Sequence, residues 1–339
     1  MDAIYNSHHR AHTTDRIRHN GSRYLSEEVP ARANAIYRTL RRAAWITWLP
    51  IEDFGPAPIL AVHSAPFVQF LQTAYQNNRL VRPHEEAVFP NAFAVRGSRL
   101  PPAGFAGQRG MYACDPDTPI VAGTWQAAYW SAQCALTGAG RVIRGSPGVY
   151  ALCRPPGHHA AGDLYGGFCY LNNAAIAARW LSTHGRRVAI LDIDYHHGNG
   201  TQEIFWADGQ VFYGSLHVDP QLDYPYYWGS ASERGAGPGR GSIDNHPLPL
   251  GTDDATYLRA LEDVLATMRA FQPDVLVVSA GFDIVAGDPI GKFAITLDGL
   301  HATGRHIAAL GYPTLIVQEG GYRIKALGVQ ARTFLSAFE

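Results

Sequence analysis

Residues 192–200 read Asp-Ile-Asp-Tyr-His-His-Gly-Asn-Gly, directly after the apolar run Val188–Leu191. Side chains alternate along a strand, so Asp192, Asp194 and His196 leave one face together. A carboxylate and an imidazole two residues apart can grip one divalent ion. A lone D-x-H pattern is common, but D-x-D-x-H-H-G-N-G is not. Three more segments have the same form. Cys153-Arg-Pro-Pro-Gly-His-His159 follows the apolar Val149–Leu152, Val275–Phe282 leads into Asp283, and Leu315–Gln318 leads into Glu319-Gly-Gly-Tyr322. Each has an ordinary structural explanation when taken alone: a buried Asp caps a helix, and a Tyr after two glycines fills a turn. Four apolar strands that deliver two histidines, a metal-binding pair, an Asp and a Tyr at comparable ends describe a site, because open α/β sheets place their sites there.

The elements that must carry these residues follow from periodicity. Val188–Ile193, Val211–Leu216 and Val275–Ser279 are predicted as buried parallel strands. Gly123–Leu136, Asn172–Leu181, Ala255–Phe271 and Asp298–Leu310 are predicted as helices, the second closing near Gly185. Such alternation implies an α/β protein with three α/β/α layers, a central and mostly parallel sheet, and right-handed crossovers. No linker, composition break or internal repeat divides residues 1–339, so one domain is expected. The Gly-, Tyr- and Pro-rich stretch from Leu222 to Gly241 is expected to wall a pocket. Residues 82–120 form a polar, proline-rich insert with little periodicity, too long for a plain connector.

Composition narrows the class. A formal net charge of −1 gives no global pull towards nucleic acid or membrane. The N-terminal basic residues Arg10, Arg16, Arg18, Arg23, Arg32, Arg38, Arg41 and Arg42 read as a solvated face. Cysteines stand at 114, 134, 153 and 169 without a C-x-x-C, which argues against a disulfide scaffold and a structural zinc site. There is no apolar leader and no run long enough to span a bilayer, so a reduced cytoplasm is the expected location.

Taken together the motifs Arg154-Pro-Pro-Gly-His-His159, Asp192–Gly200, Ser215-Leu-His217, Ala280-Gly-Phe-Asp283 and Glu319-Gly-Gly-Tyr322 resemble those of the histone deacetylase superfamily, in its order, over roughly residues 30–325. Asn199, the Glu-Gly-Gly-Tyr ending, the chain length and the insert are most similar to the bacterial acetylpolyamine amidohydrolase branch. The resemblance implies the arginase–deacetylase fold. It implies a catalytic metal held by Asp194, His196 and Asp283, with one position left open for water and substrate. Two carboxylates and an imidazole suit Zn²⁺, and Fe²⁺ or Co²⁺ also fit. It pairs His158 with Asp192 and His159 with Asn199. An anionic partner raises a histidine pKa far more than a neutral amide does, so His159 is expected as general base and acid and His158 as an electrostatic partner. Tyr322 is expected to donate to the developing oxyanion.

The same resemblance implies an inner K⁺ site from Asp192, Asp194, His196, Ser215 and Leu216, and more weakly a second cation site at Phe205, Asp208 and Val211. His217 is expected to be packed in the core. Gly167, Phe168 and Tyr224 match the channel positions whose aromatic faces hold an aliphatic stem and, further out, a cationic amine. The implied activity is hydrolysis of an N-acetyl amide on a slim amine such as an acetylated polyamine, in a homodimer whose insert narrows the mouth. Phe105-Ala-Gly-Gln-Arg109 is neutral to basic where that branch tends to carry acids, although Asp115 and Asp117 remain nearby. Acyl-lysine on protein is the alternative substrate. A catalytically silent binding protein would have lost a ligand, a histidine or the tyrosine, and none is missing. An arginase-type site would need more Asp ligands and has no place for His158, His159 and Tyr322.

Overall fold

The computed structural model describes residues 1–14, 26–94 and 102–339, with the backbone of 18–19 and 22–23. Of the N-terminal arginines, Arg16 and the side chains of Arg18 and Arg23 lie outside the described residues, as does part of the insert. The strands are β1 (Asp2–Tyr5), β2 (Arg18–His19), β3 (Ser22–Arg23), β4 (Thr47–Leu49), β5 (Gly148–Leu152), β6 (Val188–Asp192), β7 (Val211–Val218), β8 (Ile243–Leu248), β9 (Val275–Ala280) and β10 (Thr314–Gln318). Eight of them form one sheet in the order β4-β1-β5-β10-β9-β6-β7-β8, and every neighbouring pair is parallel. β2 and β3 pair with each other alone.

A parallel sheet covered on both faces needs strands that are apolar on both sides. β6 meets that condition, all five of its residues being buried. Ala189 and Leu191 pack with the helices Ala31–Leu40, Asp254–Phe271, Leu297–Ala308 and Ile324–Leu335. Val188 and Ile190 face the helices Thr124–Ile143 and Asn173–Thr183 on the other side. The helix starts are fixed by side-chain caps: Asn172, Asp253 and Thr296 accept the amides of Ala175, Thr256 and Gly299. The four strands that carry the motifs, β5, β10, β9 and β6, are consecutive in the sheet, so their C-terminal ends meet at its centre.

One helix boundary changes. The helix from Thr124 runs to Ile143 rather than Leu136, through Thr137-Gly-Ala-Gly. Those small residues let the helix press on the sheet, and a Cβ at Gly138 would stand 2.4 Å from Leu315 Cδ1. The insert, though without period in sequence, holds a helix, Phe105–Met111, and its ends bridge at Val88 and Ile120 over a third apolar cluster that includes Phe67, Tyr112 and Tyr165.

Arg32 also departs from the solvated face, on which Arg10, Arg38, Arg41 and Arg42 do lie exposed. Its guanidinium is buried, donates to Glu28 at 2.9 Å and reaches the carbonyls of Gly321 and Glu319 at 2.6 and 2.7 Å. Arg154 holds the same carboxylate through Nε and Nη2 at 2.7 and 2.8 Å. Burial alone would raise the Glu28 pKa, but Arg154 and Arg32 outweigh it and hold the carboxyl below its ordinary value. Removing one partner of a buried ion network leaves charge uncompensated, so Glu28→Gln is expected to cost about 3–5 kcal/mol of stability by urea unfolding. A folded-state pKa below the unfolded one stabilises at pH above the unfolded value. The Glu28 contribution is therefore expected to fade as pH falls through the carboxylate range, and a pH series of wild type against Glu28→Gln measures it.

Candidate active site

Beyond the end of β6, Asp194 and His196 turn towards Asp283, which follows β9, and all three are buried. Their ligating atoms lie within 4.8 Å of one another. His196 Nδ1 stands 3.2 Å from Asp194 Oδ1 and 3.4 Å from Asp283 Oδ2, so one ring nitrogen faces both carboxylates. Asp194 Oδ2 accepts Gly320 N–H at 2.8 Å, and Asp283 Oδ1 accepts Tyr195 N–H at 3.1 Å. Asp283 Oδ2 is buried and accepts no hydrogen bond from the described residues. Burial, with Asp194 beside it, raises the Asp283 carboxyl to about 7. A buried carboxylate oxygen without a hydrogen-bond donor, beside a second carboxylate and an imidazole, fits a divalent cation on these three donors.

The glycines of two motifs make room for this cluster. A Cβ at Gly281 would stand 2.0 Å from Asp194 Oδ2, and one at Gly320 would stand 2.4 Å from Asp283 Oδ2 and 2.6 Å from Asp194 Oδ2. Gly320→Ala is therefore expected to cost about 1–3 kcal/mol by overpacking and to lower bound divalent metal, read by elemental analysis of the purified protein.

The two adjacent histidines occupy different electrostatic settings. His158 Nδ1 meets Asp192 Oδ2 at 3.1 Å, and its Nε2 lies 3.8 Å from Asp194 Oδ1. Burial would lower its pKa, but Asp194 and Asp192 override this and raise it to about 10. His159 Nδ1 meets Asn199 Oδ1 at 2.8 Å. Burial, with the His158 and His196 rings beside it, pushes His159 well below the usual range. The rings are 4.0 Å apart, yet one meets a carboxylate and the other a neutral amide.

Tyr322 completes the group. Asp288 Oδ2 accepts its backbone N–H at 2.7 Å, and Arg32 lies over its ring at 4.5 Å. Phe168 meets that ring edge-on at 5.9 Å, and Tyr224 stands 4.9 Å from His159, so the expected channel residues flank the His159 and Tyr322 rings. A Cβ at Gly167 would fall 2.2 Å from the His159 ring. His217 is buried as expected, with Ser215 Oγ at 2.8 Å from its Nδ1. Ser215 pairs in register with Asp192, which brings part of the expected inner cation site together. Phe205 and Asp208 share a turn before Val211 opens β7, but the Asp208 carboxylate is engaged by Arg179.

Several participants carried no separate expectation. Glu319 Oε2 accepts the N–H of Gly157 at 2.6 Å and of His158 at 3.3 Å, fixing the turn that presents both histidines. Its place in the Glu-Gly-Gly-Tyr motif was the available signal. Asp288 holds Tyr322 from within an ordinary-looking loop and had no signal at all. The Glu28–Arg32–Arg154 network was hidden because its members are far apart in sequence.

The sequence model of the histone deacetylase domain matches residues 26–338. The chain belongs to that family. Among curated relatives it is 40% identical to acetylpolyamine amidohydrolase 1 of Pseudomonas aeruginosa, over 100% of this chain and 99% of that protein. It is 45% identical to the acetylpolyamine amidohydrolase of Burkholderia pseudomallei, over 94% and 93%. The crystal structure of an acetylpolyamine aminohydrolase from Burkholderia pseudomallei superposes with a TM-score of 0.94 at 41% identity, covering 100% of this chain and 98% of that one. The parallel sheet and flanking helices are thus the arginase–deacetylase fold of this family. No helix among the described residues is long and apolar enough to cross a membrane.

Proposed function

We propose that this histone deacetylase family member is a metal-dependent amidohydrolase that removes acetyl groups from acetylated polyamines and similar slim amines. The observation that carries the chemistry is the unequal pair His158 and His159 beside the Asp194–His196–Asp283 cluster. A divalent ion, generally zinc in this family, would be held by those three residues and supplies Lewis-acid polarisation of the amide carbonyl and acidification of water. Asn199 Oδ1 can only accept, so His159 Nδ1 carries the proton and Nε2 keeps its lone pair. Neutral His159 is thereby set to take a proton from the attacking water and return it to the leaving amine. His158, paired with the Asp192 carboxylate, stabilises developing negative charge. Tyr322 donates its hydroxyl to the oxyanion. K⁺ at Asp192, Asp194, His196, Ser215 and Leu216 would temper the buried carboxylates, and Phe205, Asp208 and Val211 are the weaker second cation site.

The substrate class is supported by full-length likeness to acetylpolyamine amidohydrolases. The test compares kcat/KM for N-acetylcadaverine and for an acetyl-lysine peptide, with a preference for the former expected. A preference for the peptide would make the chain a protein deacetylase with the same chemistry. A homodimer joined through the 82–120 insert belongs to the same proposal, and light scattering is expected to give twice the chain mass. A monomer would remove that part.

A further inference from the structure

The two aromatic walls of the channel are tied together by one carboxylate from the insert. Asp115 is buried, and its Oδ2 accepts both the Tyr224 hydroxyl, at 3.0 Å, and the N–H of Gly167. Its Oδ1 accepts the Thr118 hydroxyl at 3.0 Å and the Asp117 N–H at 2.8 Å. Thr118 Oγ1 in turn accepts the N–H of Phe168 at 3.0 Å. Gly167 and Phe168 both have positive φ, 55° and 66°. A phenylalanine rarely adopts that conformation unless its surroundings impose it. Here the imposing groups are Asp115 and Thr118, which hold both amides of the turn.

The walls so held bracket the reacting groups. Tyr224 lies 4.9 Å from His159 and 6.1 Å from His196, while Phe168 lies 5.9 Å from Tyr322. Each oxygen of Asp115 already has at least two donors, the Cys114 thiol adding a third on Oδ2, which leaves the carboxylate without free capacity for a direct ligand bond. Its effect on a substrate therefore runs through the rings.

We propose that Asp115 is a positioning residue for substrate selection: by fastening Tyr224 to the Gly167–Phe168 turn it fixes the width of the channel, so that an unbranched acetylated amine passes and an acetyl-lysine flanked by peptide is resisted. This rests on the amidohydrolase reading above. Asp115→Asn keeps size but exchanges one accepting oxygen for a donor. A hydrogen bond to a charged group is worth about 10- to 100-fold in affinity, so KM for N-acetylcadaverine is expected to rise by about tenfold or more. kcat should change by less than about threefold, because the groups that touch the amide are untouched. The kcat/KM preference over the acetyl-lysine peptide should fall in proportion, and calorimetric affinity for cadaverine, the amine product, should weaken with it. Tyr224→Phe removes one hydroxyl from the same tie and should shift the preference in the same direction, which carries the test if Asp115→Asn fails to fold.

A merely structural role would lower the melting temperature and reduce turnover of both substrates equally, and that outcome overturns the proposal. So does a Tyr224→Phe protein with unaltered preference. A wild-type protein that hydrolyses neither substrate removes the amidohydrolase reading itself, whereas a discriminating wild type with equally discriminating variants removes only the role of Asp115.

Discussion

Asp283→Ala is expected to abolish turnover and to strip most of the divalent metal from the protein. The cluster offers one imidazole nitrogen and two carboxylates, and removing Asp283 leaves two donors, too few for a three-ligand catalytic site. The same carboxylate accepts the Tyr195 N–H, so the alanine variant also frees a buried amide. Asp283→Asn separates the two effects, since its amide oxygen can still accept from Tyr195 while the negative charge is gone. Metal content by elemental analysis and kcat on N-acetylcadaverine are the measurements, and Asp283→Asn should also lose both. A variant with full metal occupancy and normal kcat would remove Asp283 from the ligand set. Hydroxamates, which chelate a metal with an open position, are expected to inhibit the unaltered protein.

Tyr322→Phe is expected to lower kcat by about 10²–10³-fold, the usual loss for one oxyanion donor, with metal content unchanged. Its environment makes the substitution clean. The backbone is pinned by Asp288, and the ring is fixed by Arg32 at 4.5 Å and Phe168 at 5.9 Å, so the phenylalanine should occupy the same place. Burial holds the phenol well above its ordinary pKa, with Arg32 opposing, so the hydroxyl stays a donor rather than a phenolate. A variant within about threefold of wild type would reduce Tyr322 to a turn residue.

Much of this architecture could be read from the sequence because it is written in local patterns. The buried strands declare themselves through runs such as Val188–Leu191 and Val275–Val278, and Asp194, His196 and Asp283 follow such runs directly. Parallel pairing then forces their meeting. What stayed illegible depends on contacts between distant segments. Arg32 looked like one of many surface arginines, and only the fold buries it against Glu28, Gly321 and Glu319. The insert looked unstructured because its apolar residues have no period, yet Val88, Tyr112 and Ile120 fill a cluster with Phe67 and Tyr165. In sequence Asp115 reads only as an acid of the insert, and its partners Gly167 and Tyr224 lie 52 and 109 residues away.

The reach of Arg32 has a kinetic corollary. Its contacts with the carbonyls of Glu319 and Gly321 span 287 and 289 residues, so the loop that carries Tyr322 is braced by a helix distant in sequence. Closing so long a loop is slow because its entropy must be lost before the contact gives anything back. During refolding, recovery of helical circular dichroism should therefore precede recovery of catalysis. On a ribosome the segment from Arg32 must wait until residues 319–321 have emerged before the site it serves can exist.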